Sequence, residues 1–67
     1  MQTITIQPIR LGSSGEEIDV LAHVNSVVSD IETAQMKARI IVRATAADGV
    51  RIMSGDEMVW HWLTKDT

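Results

Sequence analysis

The stretch QMKARIIVRATAADG occupies residues 35–49. Within residues 35–45 every second position is apolar, and most of the intervening positions are polar or charged. Such alternation is typical of a strand with one buried face, and Asp48-Gly49 between apolar segments is a common hairpin turn. The stretch therefore predicts a strand over residues 35–45 that turns back at Gly49 into a short strand over residues 50–53.

An earlier strand is predicted over residues 3–11, where Ile4 and Ile6 alternate with threonines. Pro8 shifts the phase of this alternation and has no backbone N–H to donate to a neighbouring strand. Proline in a strand is usually confined to sheet edges and bulges, so we expect this strand at an edge or with a bulge. The GSSG sequence at residues 12–15 then predicts a turn.

Residues 17–29 are compatible with two structures. Their apolar residues partly alternate, as in a strand, but they also gather on one arc of a helix, which Ser14 and Glu17 would cap. Four valines together with Asn25 and Ser26 make a poor helix interior. The composition therefore favours a strand, with a helix as the alternative.

A short C-terminal helix is predicted over residues 55–63. Ser54 and Glu57 have the spacing of a capping box, and acidic residues in a first turn are stabilised by the helix dipole. Lys65 lies near the end of this segment, where a positive charge suits the opposite pole of the dipole. The expected order of elements is β-β-β-β-α, or β-α-β-β-α if residues 17–29 are helical.

The composition supports a strand-rich domain. Isoleucine and valine together number fifteen, against three leucines, and β-branched side chains suit pleated surfaces. The sequence thus predicts one domain over residues 1–67 of the mainly β (α+β) class, with a small antiparallel sheet of about four strands. A chain of this size has a marginal core, and without cysteine it has no disulfide to support it, so we expect a homo-oligomer.

The sequence offers little for catalysis. It contains no nucleophile elbow, P-loop or Gly-x-Gly-x-x-Gly motif. His23 and His61 are 38 residues apart and have no cysteine near them to complete a metal site. We therefore expect no enzyme activity, no catalytic residues, no metal and no cofactor. We also expect no membrane association, because no apolar run approaches the roughly 18 residues that span a bilayer.

A protein partner is the expected ligand. On the predicted helix Trp62 belongs to the core face, whereas Trp60 is partly exposed, as tryptophans at binding hot spots often are. Basic residues on the predicted strand face could dock an acidic surface of another copy. Nucleic acid is a less favoured partner, because this face lacks stacking aromatics. The predicted interface comprises Trp60, His61, Ile41, Arg39 and Arg43.

Three segments also carry a resemblance. They are DVLAHV at residues 19–24, the segment from Asp30 to Gly49, and the tryptophan-containing segment from Ser54 to Trp62. Their order resembles that of short phage virion proteins encoded among tail and baseplate genes. After an opening strand with a proline and a Gly-rich turn, those proteins have a strand, then a polar turn with an alternating strand, and then a closing helix that holds tryptophan. The resemblance implies a structural building block that acts as copies in a larger assembly, made in the host cytoplasm and carried in the virion.

The favoured function is therefore that of a non-enzymatic structural or assembly protein, such as a component of a phage tail, baseplate, fibre or capsid cement. One alternative is a small phage- or bacterium-encoded inhibitor that binds a host protein in the cytoplasm. A less favoured alternative is a nucleic-acid-associated regulator that uses Lys37, Arg39 and Arg43. Solution mass separates the first two, because a structural subunit forms a stable multimer.

Overall fold

The computed structural model describes residues 2–64 and has five strands and one helix. The mainly β, α+β class predicted from the sequence is confirmed, although several elements lie elsewhere than predicted. In chain order the elements are β1 (Gln2–Leu11), β2 (Glu17–Val20), β3 (Val24–Val28), α1 (Ile31–Thr45), β4 (Gly49–Ser54) and β5 (Glu57–Leu63).

Strand β1 is the centre of the sheet. On one side it pairs antiparallel with β4, which in turn pairs antiparallel with β5. On the other side its first half pairs with β3 and its second half with β2, again antiparallel. The sheet therefore has one edge made of two short strands and one edge made of β5 alone.

The expectation that Pro8 marks an edge strand was wrong, because β1 is internal. The proline is tolerated at the interruption between β2 and β3. Its carbonyl accepts a hydrogen bond from Leu21 N–H at 2.8 Å, and in an antiparallel strand the N–H and C=O of one residue point to the same side. The missing N–H thus faces the gap between the two short strands, and the predicted irregularity falls later, between Arg10 and Leu11.

Residues 17–29 form strands, as the composition favoured, and the helical alternative was wrong. They form two strands rather than one, separated at residues 21–23. Leu21, the first residue of this break, and Val24, the first residue after it, pack against the core. The break lets the chain follow both halves of the longer β1.

The strand predicted over residues 35–45 was wrong, since this segment lies in α1. The Asp30 carboxylate caps the helix by accepting a hydrogen bond from Thr33 N–H at 2.8 Å. Ala34, Ala38 and Val42 then recur at the helical spacing of four residues and are buried. The apparent alternation came from residues such as Ile40, whose side chain is 65% exposed on the outer face of α1.

The hydrophobic core lies between α1 and one face of the sheet. α1 packs mainly on β1, β4 and β3. Ile6 of β1 is paired with Ile52 of β4, and both side chains are fully buried. The small alanines of α1 allow the helix to approach these larger strand residues closely. The buried cluster comprises Ile4, Ile6, Val28, Ala34, Ala38, Val42, Ala47, Val50 and Ile52.

The predicted C-terminal helix over residues 55–63 was also wrong. Gly55 has φ +63, a left-handed conformation that glycine adopts without strain, and it turns β4 into β5. The acidic residues that resembled a helix start lie in this turn and at the beginning of β5. Lys65, expected at the end of the helix, lies outside the described residues.

The hairpin predicted at Asp48-Gly49 is instead a helix-to-strand connection. Asp48 N–H donates to the Ile9 carbonyl at 2.9 Å, and the Asp48 carboxylate accepts from Leu11 N–H at 2.9 Å. The Asp48 carbonyl accepts from both the N–H and the hydroxyl of Thr64 at 3.0 Å. One residue therefore links the end of α1 to β1 and to the end of β5.

Truncation of Ile52 tests the position of the core. We expect Ile52→Ala to lower the free energy of unfolding by about 2–5 kcal/mol, most of what a domain this small possesses. Ile40→Ala is the matched control and should change it by less than about 0.5 kcal/mol, because Ile40 lies on the surface. Urea unfolding followed by circular dichroism measures both, and equal losses would contradict the described packing.

The Asp30 cap predicts a specific pH dependence. The hydrogen bond from Thr33 N–H lowers the pKa of Asp30 below its usual value of 3.8, so the stabilisation is present above about pH 4 and is lost as the pH falls through the lowered pKa. Asp30→Asn keeps a capping oxygen but does not titrate. We expect wild type to lose more stability than Asp30→Asn between pH 6 and pH 3, measured by urea midpoints. Equal losses of stability in wild type and Asp30→Asn would contradict the capping role of the Asp30 carboxylate.

Candidate protein interface

Strand β5 forms the longest exposed edge of the sheet. It is seven residues long and, within residues 2–64, pairs only with β4. The opposite edge is divided between strands of four and five residues. An unpaired edge presents a row of N–H and C=O groups to another strand, and proteins often protect such edges with proline or lysine. β5 contains neither, and a bulge at Val59 shifts its register against β4 between Ile52 and Met53. The backbone on both sides of this bulge is open to pairing.

The position of β5 depends on the absence of a side chain at Gly49. A Cβ atom there would lie 2.6 Å from Leu63 Cδ2 and 2.8 Å from the Trp62 carbonyl oxygen. Glycine thus permits β5 to lie close against β4 where the strand ends. This approach maintains the pairing of Trp62 with Val50 and of Trp60 with Ile52.

Both tryptophans lie on the α1 side of the sheet. Their strand partners Val50 and Ile52 belong to the core, and residues directly opposite each other point to the same face. β5 is not one of the strands on which α1 mainly packs, and Trp60 and Trp62 are only half-buried and pack against the margin of the core. The predicted partial exposure of Trp60 is confirmed. Trp62, which was predicted to belong to the core, is half-buried as well.

A cationic groove runs between α1 and the end of β5. The Arg39 guanidinium lies 5.8 Å from the centroid of the Trp62 ring, within range of a cation–π interaction. Arg43 lies one helical turn further on, and neither arginine forms an ion pair with any residue from 2 to 64. The groove has a volume of about 480 Å³ and is lined by Arg39, Val42, Arg43, Trp62 and Thr64.

Two of the five predicted interface residues, His61 and Ile41, do not lie on the groove side of the β5 edge. His61 is exposed and pairs with Arg51, which places it on the face of the sheet opposite α1. Ile41 is partly buried against the core, on the side of α1 that faces away from β5. Trp60, Arg39 and Arg43 are therefore the predicted residues that the fold brings to one side of the β5 edge.

The basic strand face predicted from the sequence does not exist as such. Lys37 lies on the far side of α1 and donates to the Ser26 hydroxyl at 2.9 Å. Arg51 lies on the open face of the sheet, where it forms an ion pair with Glu17 at 2.9 Å and donates to Gln7 at 2.5 Å. Two cations remain together, which weakens the nucleic-acid alternative, because phosphate binding depends on several neighbouring cations.

Sequence reasoning missed the acidic end of β5. Asp56 and Glu57 are exposed at the start of the strand, where they had been interpreted as the first turn of a helix. The bulge at Val59 shifts the pairing by one residue, so that Glu57 pairs with Ser54, two residues after Ile52 in β4. Glu57 therefore lies on the α1 side, like the tryptophans. β5 therefore has acidic residues at its start and arginines beside its end.

Within residues 2–64 no three His, Asp or Glu side chains are close enough to hold a metal ion. A second depression of about 430 Å³ is lined by the 11–15 turn, Asp48 and Thr64, and its one carboxylate is already bound to Leu11 N–H. At this turn the Ser14 hydroxyl lowers the pKa of Glu16 by donating a hydrogen bond, which is a local turn interaction.

No helix in the described part of the chain is long and apolar enough to cross a bilayer. Comparison with models of known protein families, with curated proteins and with solved structures finds no match for this chain. The functional interpretation therefore depends on the geometry of the β5 edge and its groove.

The contact between Arg39 and Trp62 can be tested by fluorescence. In a Trp60→Phe background Trp62 is the only indole, and we expect Arg39→Ala to red-shift its emission and to increase acrylamide quenching. The same change should cost about 0.5–1 kcal/mol of stability. Arg43→Ala is the matched control, because Arg43 lines the groove without stacking on the ring. Equal quenching in the two variants would show that Arg39 does not cover Trp62.

Proposed function

We propose that this chain is a non-enzymatic structural protein that assembles with copies of itself or with neighbouring subunits through the β5 edge. The observation that carries this proposal is the seven-residue strand β5, which within residues 2–64 is paired on one side and which contains two half-buried tryptophans. Pairing of an exposed edge with another strand is a common mode of protein association.

Burial of apolar surface would supply the driving force. Met58 and Val59 of β5 are 51% and 41% exposed, and both indoles retain exposed surface beside them. Association along this edge would cover these side chains and satisfy the backbone groups of β5 at the same time. A domain whose own core is this small gains stability from such an assembly.

A phage particle is the setting that we propose for this assembly, as a component of its tail, baseplate, fibre or capsid cement. The support is the resemblance of the segment order, together with the strand structure of residues 19–20 and of Val24 in the first of the three segments. The second segment forms α1, where the resemblance implies a strand. The tryptophans lie on an edge strand rather than on the helix of the resemblance. An edge strand is suited to contacts between subunits, so this difference changes the form of the contact and leaves the proposed role in place.

An inhibitor that binds a single host protein is the alternative function. The same edge would accept an extended segment of a different chain, since backbone pairing is largely independent of sequence. The two functions differ in what they require of the isolated protein. An assembly subunit of this kind associates with itself, whereas an inhibitor is a monomer until it meets its target.

Sedimentation velocity over a wide concentration range tests the proposal. We expect wild type to form a multimer of defined mass. Val59→Lys, which places a charge on the β5 edge, should shift the protein to monomer. Val27→Lys is the matched control, because Val27 is also exposed, at 56%, but lies on β3 at the opposite edge of the sheet.

Two outcomes would overturn the proposal. A wild-type protein that stays monomeric at all concentrations would exclude self-assembly and favour the inhibitor. A multimer that is dissociated by Val27→Lys and not by Val59→Lys would place the contact at the β2 and β3 edge instead.

A further inference from the structure

We infer that the β5 edge is occupied by the β5 strand of a second copy, in an antiparallel pairing about a two-fold axis near Trp60. In this arrangement Glu57 of each copy meets Arg39 and Arg43 of the other. The inference rests on the proposed assembly function and names its partner and geometry.

The backbone of β5 is suited to this pairing. An edge strand that runs antiparallel to its own copy uses the same N–H and C=O groups on both sides, which is the requirement for a closed two-fold contact. The axis is perpendicular to the sheet, so the two five-stranded sheets become continuous and both α1 helices lie on one face. The two cationic grooves then lie on the same face as the acidic residues that they would bind.

The charges of β5 select the antiparallel direction. Asp56 and Glu57 stand at the start of the strand, whereas Arg39 and Arg43 stand beside its end. Antiparallel pairing brings the start of each strand to the end of the other, and so brings opposite charges together twice. Parallel pairing would place acid beside acid and base beside base, which is unfavourable at an interface.

The apolar residues of β5 agree with an axis near Trp60. This residue lies at the middle of the strand, and its indole packs against the core but is only partly buried. Two such indoles across a two-fold axis would pack on each other, as aromatic pairs do at interfaces. Met58 and Val59, which are exposed in the single chain, lie beside the same axis and would be partly covered.

A charge exchange tests this geometry. Asp56→Lys/Glu57→Lys and Arg39→Glu/Arg43→Glu each create two repulsive contacts in a homodimer. We expect each variant alone to show a dimer dissociation constant at least about tenfold above that of wild type. When the two variants are mixed in equal amounts, each of the two contacts in a mixed dimer joins opposite charges. Native mass spectrometry should therefore show the mixed dimer in excess of either homodimer.

Asp19→Lys and Lys37→Glu are the matched controls. They reverse an acidic residue on β2 and a basic residue on the far side of α1, and we expect both to associate as wild type does. Circular dichroism establishes that every variant is folded. If a reversed variant does not fold, wild type itself provides the test, because its dissociation constant should rise with salt concentration as the charges are screened.

The outcomes separate this inference from the proposed function. A wild-type multimer that is indifferent to salt and to both charge-reversed variants would overturn the two-fold pairing and leave assembly through another contact. Disruption by Asp19→Lys and not by Asp56→Lys/Glu57→Lys would likewise overturn it. A monomeric wild type would overturn both the pairing and the assembly function.

Discussion

The fold depends on the packing of α1 across the central strands of the sheet. Ile6 and Ile52 are paired side by side and fully buried, and Ala34 and Ala38 of the helix lie over this region without side-chain bulk. Because α1 connects β3 to β4 while β1 lies between them, the helix holds three strands that are distant in sequence. β5 lies outside this packing, and its position explains why its tryptophans are half-buried and why its edge is open.

Fold class and several strands were predictable from the sequence, and the position of the one helix within residues 2–64 was not. The threonine and isoleucine alternation of β1 allowed one structural reading, and it was correct. In residues 35–45 the apolar positions fit both the two-residue period of a strand and the period of an α-helix, because Ala38 and Val42 belong to either pattern. Two signals distinguish the helix from a strand, and both lie before the alternating stretch. They are the Asp30 cap and Ala34, which extends the four-residue spacing of Ala38 and Val42. The capping-box spacing of Ser54 and Glu57 is shared by a hairpin turn at Gly55, so it could not identify a helix.

The candidate site was predictable in its residue types and not in its geometry. Trp60 was selected because exposed tryptophan often marks interfaces, and Arg39 and Arg43 because a basic face could dock another copy. The fold brings the three residues to the same edge. Their proximity could not be derived, since it depends on α1 crossing the sheet and on the close approach at Gly49. Glu57 was missed because the sequence predicted a helix for this segment. Only as the first residue of strand β5 does it lie at the opposite end of the strand from Arg39 and Arg43.

The attachment of β5 at both ends has a consequence for the cost of association. The Gly55 turn holds its start, and the hydrogen bonds from Thr64 to the Asp48 carbonyl hold its end. The strand is thus already in the extended form that a partner requires. Little conformational entropy is lost when a second strand pairs with it, so more of the contact energy is retained as affinity than for an edge that must first become ordered.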